Sequence, residues 1–490
     1  MTTDNAELMA RGKALYSEYK ELKAMLEPFG QSHLLQFWDD LSLDERDQLC
    51  KQIRAIDWPN VLHWYHEVTD NAEAEAVPFE RLTPAPYVEL HPKDEASQKK
   101  LDAAREYGKE LVRAGKVACF TVAGGQGTRL GYNGPKGTYC FSLLRNKSLF
   151  QYFAEAIARN QEKYNCVLPW YIMTSPANNA ATVAFFEEHK YFGLDAANVR
   201  FFIQGTLPGF DFCGRAFLET KASLALFANG HGGTLTALRD SGTLEDMKAR
   251  GIEYLTYWQV DNPMISVCDP LFIGLHAQSG SEMSSRALVK RDAMEKLGHF
   301  CLLDGRTIII EYSDMPMDLL EKRDADGRLT FRAGSPAMHI LSRSFIERIT
   351  AGKLAFNPHR AQKKVEYIDF KGALVKPLKP NGTKLEFFIF DALPLAKNPL
   401  ILEADRDEEF AAIKNPEGND SPISCRHDLL ERTAKWLGEC GVQVPRNAAG
   451  EVDAKIEISL RRAVDPEDIA ELVKKGAIPG VIAGSTICVD

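Results

Sequence analysis

Leu8, Leu15, Tyr19, Leu22 and Leu26 recur at three-, four- and seven-residue spacings with Glu, Lys and Arg between them, which predicts an amphipathic helix over residues 5–27. Ser42-Leu-Asp-Glu-Arg has the form of a helix start with a capping hydroxyl and acidic first turn. A second helix is expected from there to about Ile56, with Asp57-Trp-Pro as its stop. Pro84, Pro86 and Pro92 mark residues 82–98 as a connecting segment, and Leu101, Ala104 and Leu111 predict the next helix.

From Val117 the pattern changes. Short apolar runs at Val117–Val122, Trp170–Met173, Val199–Ile203, Tyr254–Val260 and Thr307–Tyr312 alternate with helical periods, such as Leu149–Ala158. Such alternation predicts an α/β fold, a parallel or mixed sheet covered by helices. After about residue 400 acidic and loop-like stretches dominate. The alternating Ile456-Glu-Ile-Ser-Leu then precedes a helix marked by Asp465 as cap, Pro466 in its first turn and Gly476 at its end. The expected organisation is a mainly helical region over 1–100, a central domain over 101–400 and a small α+β lobe over 401–490.

Composition narrows the function classes. The 490 residues carry 59 basic and 68 acidic side chains, a net charge of −9, with 45% hydrophobic residues. That is globular composition with no basic field for non-specific nucleic-acid binding, so any polyanion must meet local positive charge. Ten scattered cysteines, without a C-x-x-C pair, read as buried apolar side chains in a reducing compartment. The first residues lack the basic and apolar regions of a secretion signal, and no run approaches the ~18 apolar residues of a membrane span. The expectation is a soluble cytoplasmic protein with neither nucleic acid nor membrane as partner.

The segment Ala123-Gly-Gly-Gln-Gly-Thr-Arg-Leu-Gly follows directly on the apolar run ending at Val122, and Gly134-Pro-Lys-Gly comes shortly after. Glycines there let main-chain N–H groups approach phosphate oxygens, while Arg129 and Lys136 supply cations, so the loop suits a polyphosphate. Lys136 follows Pro135 and precedes Gly137, which breaks the Walker A spacing. A dinucleotide fingerprint needs glycine where Leu130 stands, so a dehydrogenase is disfavoured. Asp261 follows the run ending at Val260, where carboxyl ends of strands open ligand crevices, and its hard oxygen suits Mg²⁺. Histidine and cysteine spacings carry no zinc signature.

Gly-Gly-x-Gly-Thr-x-Leu-Gly followed by Pro-Lys resembles the loop of the uridylyltransferases, or UDP-sugar pyrophosphorylases. Gly30-Gln-Ser-His-Leu-Leu-Gln-Phe-Trp, His189-Lys-Tyr-Phe-Gly-Leu, Gln204-Gly-Thr-Leu-Pro, Val260-Asp-Asn, Asp269-Pro-Leu-Phe-Ile-Gly, Ala361-Gln-Lys-Lys and Lys379-Pro-Asn-Gly-Thr-Lys are similar to stretches of the eukaryotic-type UDP-N-acetylhexosamine pyrophosphorylases, in the same order.

This resemblance implies a Rossmann-like nucleotidyltransferase core with a mixed central sheet, acting on UTP and a sugar 1-phosphate with Mg²⁺. It implies that Val122, Ala123, Gly124, Gly125, Gln204 and Gly230 hold the nucleoside, that Arg129 and Lys136 grip the phosphates, that Lys384 reaches UTP, and that Asp261 lies at the metal and nucleotide site. It assigns Gly298, Glu311, Tyr312, Phe388, Phe390 and Lys414 to the sugar phosphate. Read from the residues alone, Phe388 and Phe390 in Glu386-Phe-Phe-Ile-Phe are one face of a half-buried strand. Two positions depart from the family: His231 in Gly230-His-Gly-Gly and Ser335 in Ala333-Gly-Ser each stand where it has an asparagine against the sugar. Arg286-Ala-Leu-Val-Lys290 also lacks the family's Glu before the lysine. N-acetylglucosamine 1-phosphate is the leading substrate, a UDP-glucose or broad UDP-sugar pyrophosphorylase is the alternative, and a non-catalytic nucleotide-sugar binding protein is the alternative from another class.

Overall fold

The computed structural model describes residues 3–70, 77–352 and 354–490. Backbone packing divides them into two discontinuous units. The first combines Met1–Pro78, Gly205–Thr234 and Ala355–Ile389, and the second Phe79–Gln204, Leu235–Leu354 and Phe390–Asp490. The boundaries expected near residues 100 and 400 do not coincide with this division. Leu82–Pro84 and Leu400–Ala404, on either side of those boundaries, both hydrogen-bond into one sheet of the second unit.

That sheet has eleven strands: β1 (Leu82–Pro84), β2 (Val117–Val122), β3 (Trp170–Thr174), β4 (Val199–Ile203), β5 (Tyr254–Gln259), β6 (Met283–Val289), β7 (Gly298–Leu303), β8 (Arg306–Ile310), β9 (Ala333–Ser335), β10 (His339–Ser342) and β11 (Leu400–Ala404). The spatial order is β1-β7-β9-β6-β10-β5-β2-β3-β4, with β8 beside β7 and β11 beside β6. β5, β2, β3 and β4 run parallel, whereas β10 is antiparallel to both β5 and β6. The parallel part carries the continuous apolar runs, as expected for strands covered on both faces.

Its main core gathers Val117, Cys119, Phe150, Phe153, Trp170, Ile172, Phe186 and Trp258. The helix Glu95–Arg113, capped by Asp94, crosses Pro270–Gln278 at two glycines. A Cβ on Gly108 would lie 1.8 Å from Pro270 O, and one on Gly274 1.7 Å from Ala104 O, so only glycine permits this approach. The tail forms its own apolar cluster around Trp436, Ile456, Ile469, Leu472 and Ile487. There Asp465 caps the helix Pro466–Lys474 by accepting from Asp468 N–H, and Gly476 adopts φ 66°.

In the first unit the helix Thr3–Leu26 buries Leu15, Leu22 and Leu26 but leaves Leu8 53% exposed, so the expected apolar face is shorter than its periodicity. Ser42 and Glu45 form a reciprocal capping box on Leu43–Arg54. Asp57-Trp-Pro ends that helix and also opens another, Trp58–Asp70, because proline is tolerated in a first turn. Gln31, 1% exposed, donates to Gly214 O at 2.8 Å and accepts from Ala216 N–H at 2.9 Å, which ties the Gly30-Gln-Ser-His block to the 211–217 turn. All ten cysteines are unpaired. Cys50, Cys119, Cys268, Cys301 and Cys425 are buried, but Cys140 and Cys213 are exposed, contrary to the reading of all ten as interior side chains. Among the described residues no helix is long and apolar enough to cross a membrane.

Candidate active site

β2 and β5 lie side by side in parallel, with Val122 opposite Gln259, so the chain leaving each strand emerges at the same edge. After β2 the glycine-rich loop folds back on itself. Gly127 N–H donates to Gly134 O at 2.9 Å, Lys136 N–H donates to Gly125 O at 3.1 Å, and Gln126 bridges Pro135. Asn178, almost fully buried, donates from Nδ2 to Ala123 O (2.9 Å) and Gly125 O (3.2 Å), pinning both sides of Gly124. A Cβ on Gly124 would sit 2.6 Å from Gln204 Oε1, so glycine here lets that amide lie directly against the loop. Gly125 is exposed and nothing lies within 4 Å of where its Cβ would be. This arrangement brings Val122, Ala123, Gly124, Gly125 and Gln204 together.

Lys136 opens a 3-10 turn beyond the loop, and Gly137 packs so closely on Phe150 that a Cβ would meet the ring at 2.1 Å. From there Lys136 Nζ reaches Asp261 Oδ2 at 3.4 Å, with 16% and 14% of the two side chains exposed. Burial alone would push the Asp261 carboxyl up. The charges of Lys136 and Lys414 and the Lys136 hydrogen bond nevertheless hold it below the usual carboxylate range. Arg129 rides on the same loop in the turn Thr128–Leu130 with its side chain exposed.

Asp261 and Lys414 are linked through the backbone, because Ile413 N–H donates to Asp261 O at 2.8 Å. Asn262 secures the same strip: its Nδ2 donates to Glu409 O at 2.8 Å, while its Oδ1 accepts from Ala411 N–H at 3.1 Å. Sequence reasoning gave no role to Asn178 or Asn262. Asn262 lies within the recognised Val260-Asp-Asn block, whereas Asn178 carries no signal beyond a turn-forming Ser-Pro-Ala-Asn context.

Further along the same sheet, Gly298 on β7 pairs with Ser335 on β9, and Glu311 follows β8. A Cβ on Gly298 would stand 3.3 Å from Glu311 Oε1, so these three candidate sugar residues form one cluster. Tyr312 beside them is exposed.

The first unit holds a second cluster. Gly230, at φ 83°, approaches Phe387 so closely that a Cβ would lie 2.3 Å from its carbonyl oxygen. His231 Nδ1 accepts from Ile389 N–H at 3.2 Å, so the ring is neutral and its proton sits on Nε2. Burial takes this imidazole down to about 4, assisted by the neighbouring His359. Phe388 stacks on His231 with centroids 5.3 Å apart and lies 4.6 Å from His359. Lys384 Nζ sits 3.4 Å from the Phe227 ring centroid, and burial lowers its pKa.

One expectation is corrected here. The strand Gly382–Glu386 ends before Phe388, and Phe390 is buried in a 3-10 segment, Ile389–Leu395. The two rings therefore do not share a strand face, and they belong to different packing units. The dipeptide alternation imitates a continuing strand, but the backbone is diverted when Gly232 N–H bonds Phe387 O at 2.8 Å.

Among the described residues no group of three or more His, Cys, Asp or Glu side chains is placed to hold a metal ion. A single ionised carboxylate such as Asp261 still fits Mg²⁺, which commonly takes one or two protein carboxylates and completes its shell with phosphate oxygens and water.

A family model described as UTP–glucose-1-phosphate uridylyltransferase matches residues 62–437. UDP-N-acetylhexosamine pyrophosphorylase-like protein 1 of Homo sapiens is 37% identical over 440 residues, 86% of this chain and 86% of that protein. UDP-N-acetylglucosamine pyrophosphorylase of Saccharomyces cerevisiae is 35% identical over 458 residues, 89% of this chain and 94% of its own. The crystal structure of uridine diphosphate N-acetylglucosamine pyrophosphorylase from Trypanosoma brucei, in complex with inhibitor, aligns with a TM-score of 0.81 at 26% identity, covering 96% of this chain and 98% of that one. With a family match across most of its length and relatives of this identity over nearly all of theirs, the chain belongs to the UTP–glucose-1-phosphate uridylyltransferase family, the UDP-sugar pyrophosphorylases.

Proposed function

We propose that the chain transfers the uridylyl group of UTP to N-acetylglucosamine 1-phosphate, giving UDP-N-acetylglucosamine and pyrophosphate. The observation that carries this reading is the Lys136–Asp261 pair, set 3.4 Å apart beside a glycine-rich loop at the ends of two neighbouring parallel strands. A phosphate oxygen of the sugar attacks the α-phosphorus of UTP in line, and the bond from that phosphorus to the bridging oxygen breaks to release pyrophosphate. The nucleophile is already ionised at neutral pH, so the protein needs no strong general base. Its work is alignment and charge compensation.

The open main-chain face at Gly125 and the cation of Lys136 receive the triphosphate, with Arg129 available from the same loop. Gln204, held against Gly124, offers an amide to the uracil. Lys414 pairs with the sugar phosphate, and the Gly298–Glu311–Ser335 cluster receives the hexose hydroxyls and N-acetyl group. Asp261 would hold Mg²⁺, which would supply positive charge to offset that developing on the reacting phosphate. Gly230, His231, Lys384 and Phe388 carry the remaining assignments to UTP and the sugar, and the proposed cellular setting is the cytoplasm.

The test is pyrophosphate release from UTP with a panel of sugar 1-phosphates, with Mg²⁺ and with excess EDTA. Turnover that depends on both UTP and N-acetylglucosamine 1-phosphate and disappears with chelation is expected. Release with no sugar phosphate in the panel would overturn it. His231 and Ser335, in place of asparagines, favour a second reading in which glucose 1-phosphate is also used, and the same panel measures it.

A further inference from the structure

Below the pairing of Gly298 with Ser335 runs a buried hydrogen-bond chain that the reaction above does not use. Lys290, 5% exposed, follows the end of β6, where its N–H donates to Arg332 O at 2.9 Å. Its side chain crosses β9 at Gly334, where a Cβ would lie only 3.1 Å from Lys290 Cγ and 3.0 Å from Leu297 Cδ1. Its ammonium then donates to His299 Nε2 at 2.9 Å and to Ala293 O at 3.3 Å. His299, 1% exposed, completes the chain from Nδ1 to Phe331 O at 3.0 Å.

The direction of this chain is fixed. A carbonyl can only accept, so His299 carries its proton on Nδ1 and offers a bare Nε2 to Lys290. Burial takes His299 down to about 4, which agrees with a neutral ring at physiological pH. Among the described residues no carboxylate forms an ion pair with Lys290. A buried lysine without such a partner is a costly way to gain stability. What it does achieve is geometric: one side chain stitches β6, β9 and β7 at Gly334 and His299, the immediate neighbours of Ser335 and Gly298 in sequence.

We propose that Lys290 and His299 are positioning residues for the sugar-phosphate subsite, holding Ser335 and Gly298 at the spacing the hexose requires. The inference rests on the assignment of Gly298, Glu311 and Ser335 to the sugar.

The experiment measures kcat and the KM of each substrate for Lys290→Met, His299→Leu, His299→Gln, Gly334→Ala and Glu311→Gln in the full-length enzyme, with thermal unfolding as a check on folding. Glutamine can accept from Lys290 and donate to Phe331 O at once, so His299→Gln is the conservative replacement. Gly334→Ala displaces Lys290 without deleting it, which keeps the test available if the larger changes fail to fold. Expected is a rise of about tenfold in the KM for N-acetylglucosamine 1-phosphate in Lys290→Met and His299→Leu, and a smaller rise in Gly334→Ala. The KM for UTP should stay within twofold, and His299→Gln should remain near the parent enzyme. Equal rises in both KM values, an unchanged sugar-phosphate KM in folded variants, or His299→Gln as impaired as His299→Leu would overturn the inference. Glu311→Gln separates the two levels of argument. If it leaves the sugar-phosphate KM unchanged, the subsite assignment fails. If it alone raises that KM, only the positioning role fails.

Discussion

Lys136 Nζ stands 3.4 Å from Asp261 Oδ2, and each is the other's counter-ion at the edge shared by β2 and β5. The cation proposed for phosphate and the carboxylate proposed for the metal thus lie together, which keeps the carboxylate ionised although it is largely enclosed.

Lys136→Ala is expected to lower kcat about a hundredfold, since one charge-assisted contact in the transition state is worth ~3 kcal/mol. It should also move the acidic limb of the kcat/KM profile to higher pH, because removing the lysine leaves the effect of burial on Asp261 opposed mainly by Lys414. A parent-like acidic limb in the variant would show that Asp261 is not under the control of Lys136. Asp261→Asn is expected to lose turnover to a similar degree while unfolding at nearly the parent temperature.

Two glycines near the loop should respond differently to alanine. At Gly124 the new methyl would press on Gln204 Oε1, the end of a side chain, so a raised UTP KM with little loss of stability is expected. At Gly137 it would enter the buried Phe150 ring, so the expected result is a loss of roughly 1–3 kcal/mol in denaturant unfolding. Equal stability of the two variants would contradict the packing described.

Ile389 N–H occupies His231 Nδ1, so that nitrogen cannot accept from a sugar. An asparagine there presents both a donor and an acceptor to the sugar. His231→Asn is therefore expected to increase the kcat/KM ratio of N-acetylglucosamine over glucose 1-phosphate several-fold. A ratio that stays constant would remove residue 231 from sugar discrimination.

Acid should weaken the fold through its enclosed histidines. His276 is fully buried between Ser284 and Ser342, and burial takes it down to about 3. Between that value and 6.5 the unfolded chain binds a proton that the folded one does not. Stability therefore falls as pH drops through this window, by roughly 1.4 kcal/mol per pH unit. Glu409, which burial raises to about 7, opposes this trend, since the folded state retains its proton where the unfolded chain loses it. The difference between parent and His276→Gln isolates the histidine: the urea midpoint should drop less in the variant from pH 7 to pH 5. Identical drops would mean His276 is not the proton-linked group.

Much of this architecture was readable because local signals agreed with the tertiary outcome. Ser42 and Asp465 cap their helices, and the apolar runs at Val117, Trp170, Val199 and Tyr254 form the parallel strands. β6 and β10 escaped notice because Ser284, Ser285, Arg286 and His339 break the apolar pattern although all are buried. Ser285 Oγ, for example, meets His339 Nδ1 at 2.8 Å inside the protein, and single-chain periodicity cannot register such pairing. In the site, the glycine loop, Lys136 and Asp261 announced themselves by spacing. Asn178 and Asn262 did not, because a lone asparagine looks the same whether it turns the backbone or braces a loop.

The first unit draws on three stretches of chain, the last ending at Ile389. The N-terminal helices therefore emerge from the ribosome long before the strands Phe210–Asp211 and Gly382–Glu386 that complete their unit. Loop closure over such separations slows assembly and leaves apolar helix faces uncovered during synthesis. Neither unit is a continuous stretch that can be cut out and produced alone, and truncation from the N-terminal end removes the first unit's helices.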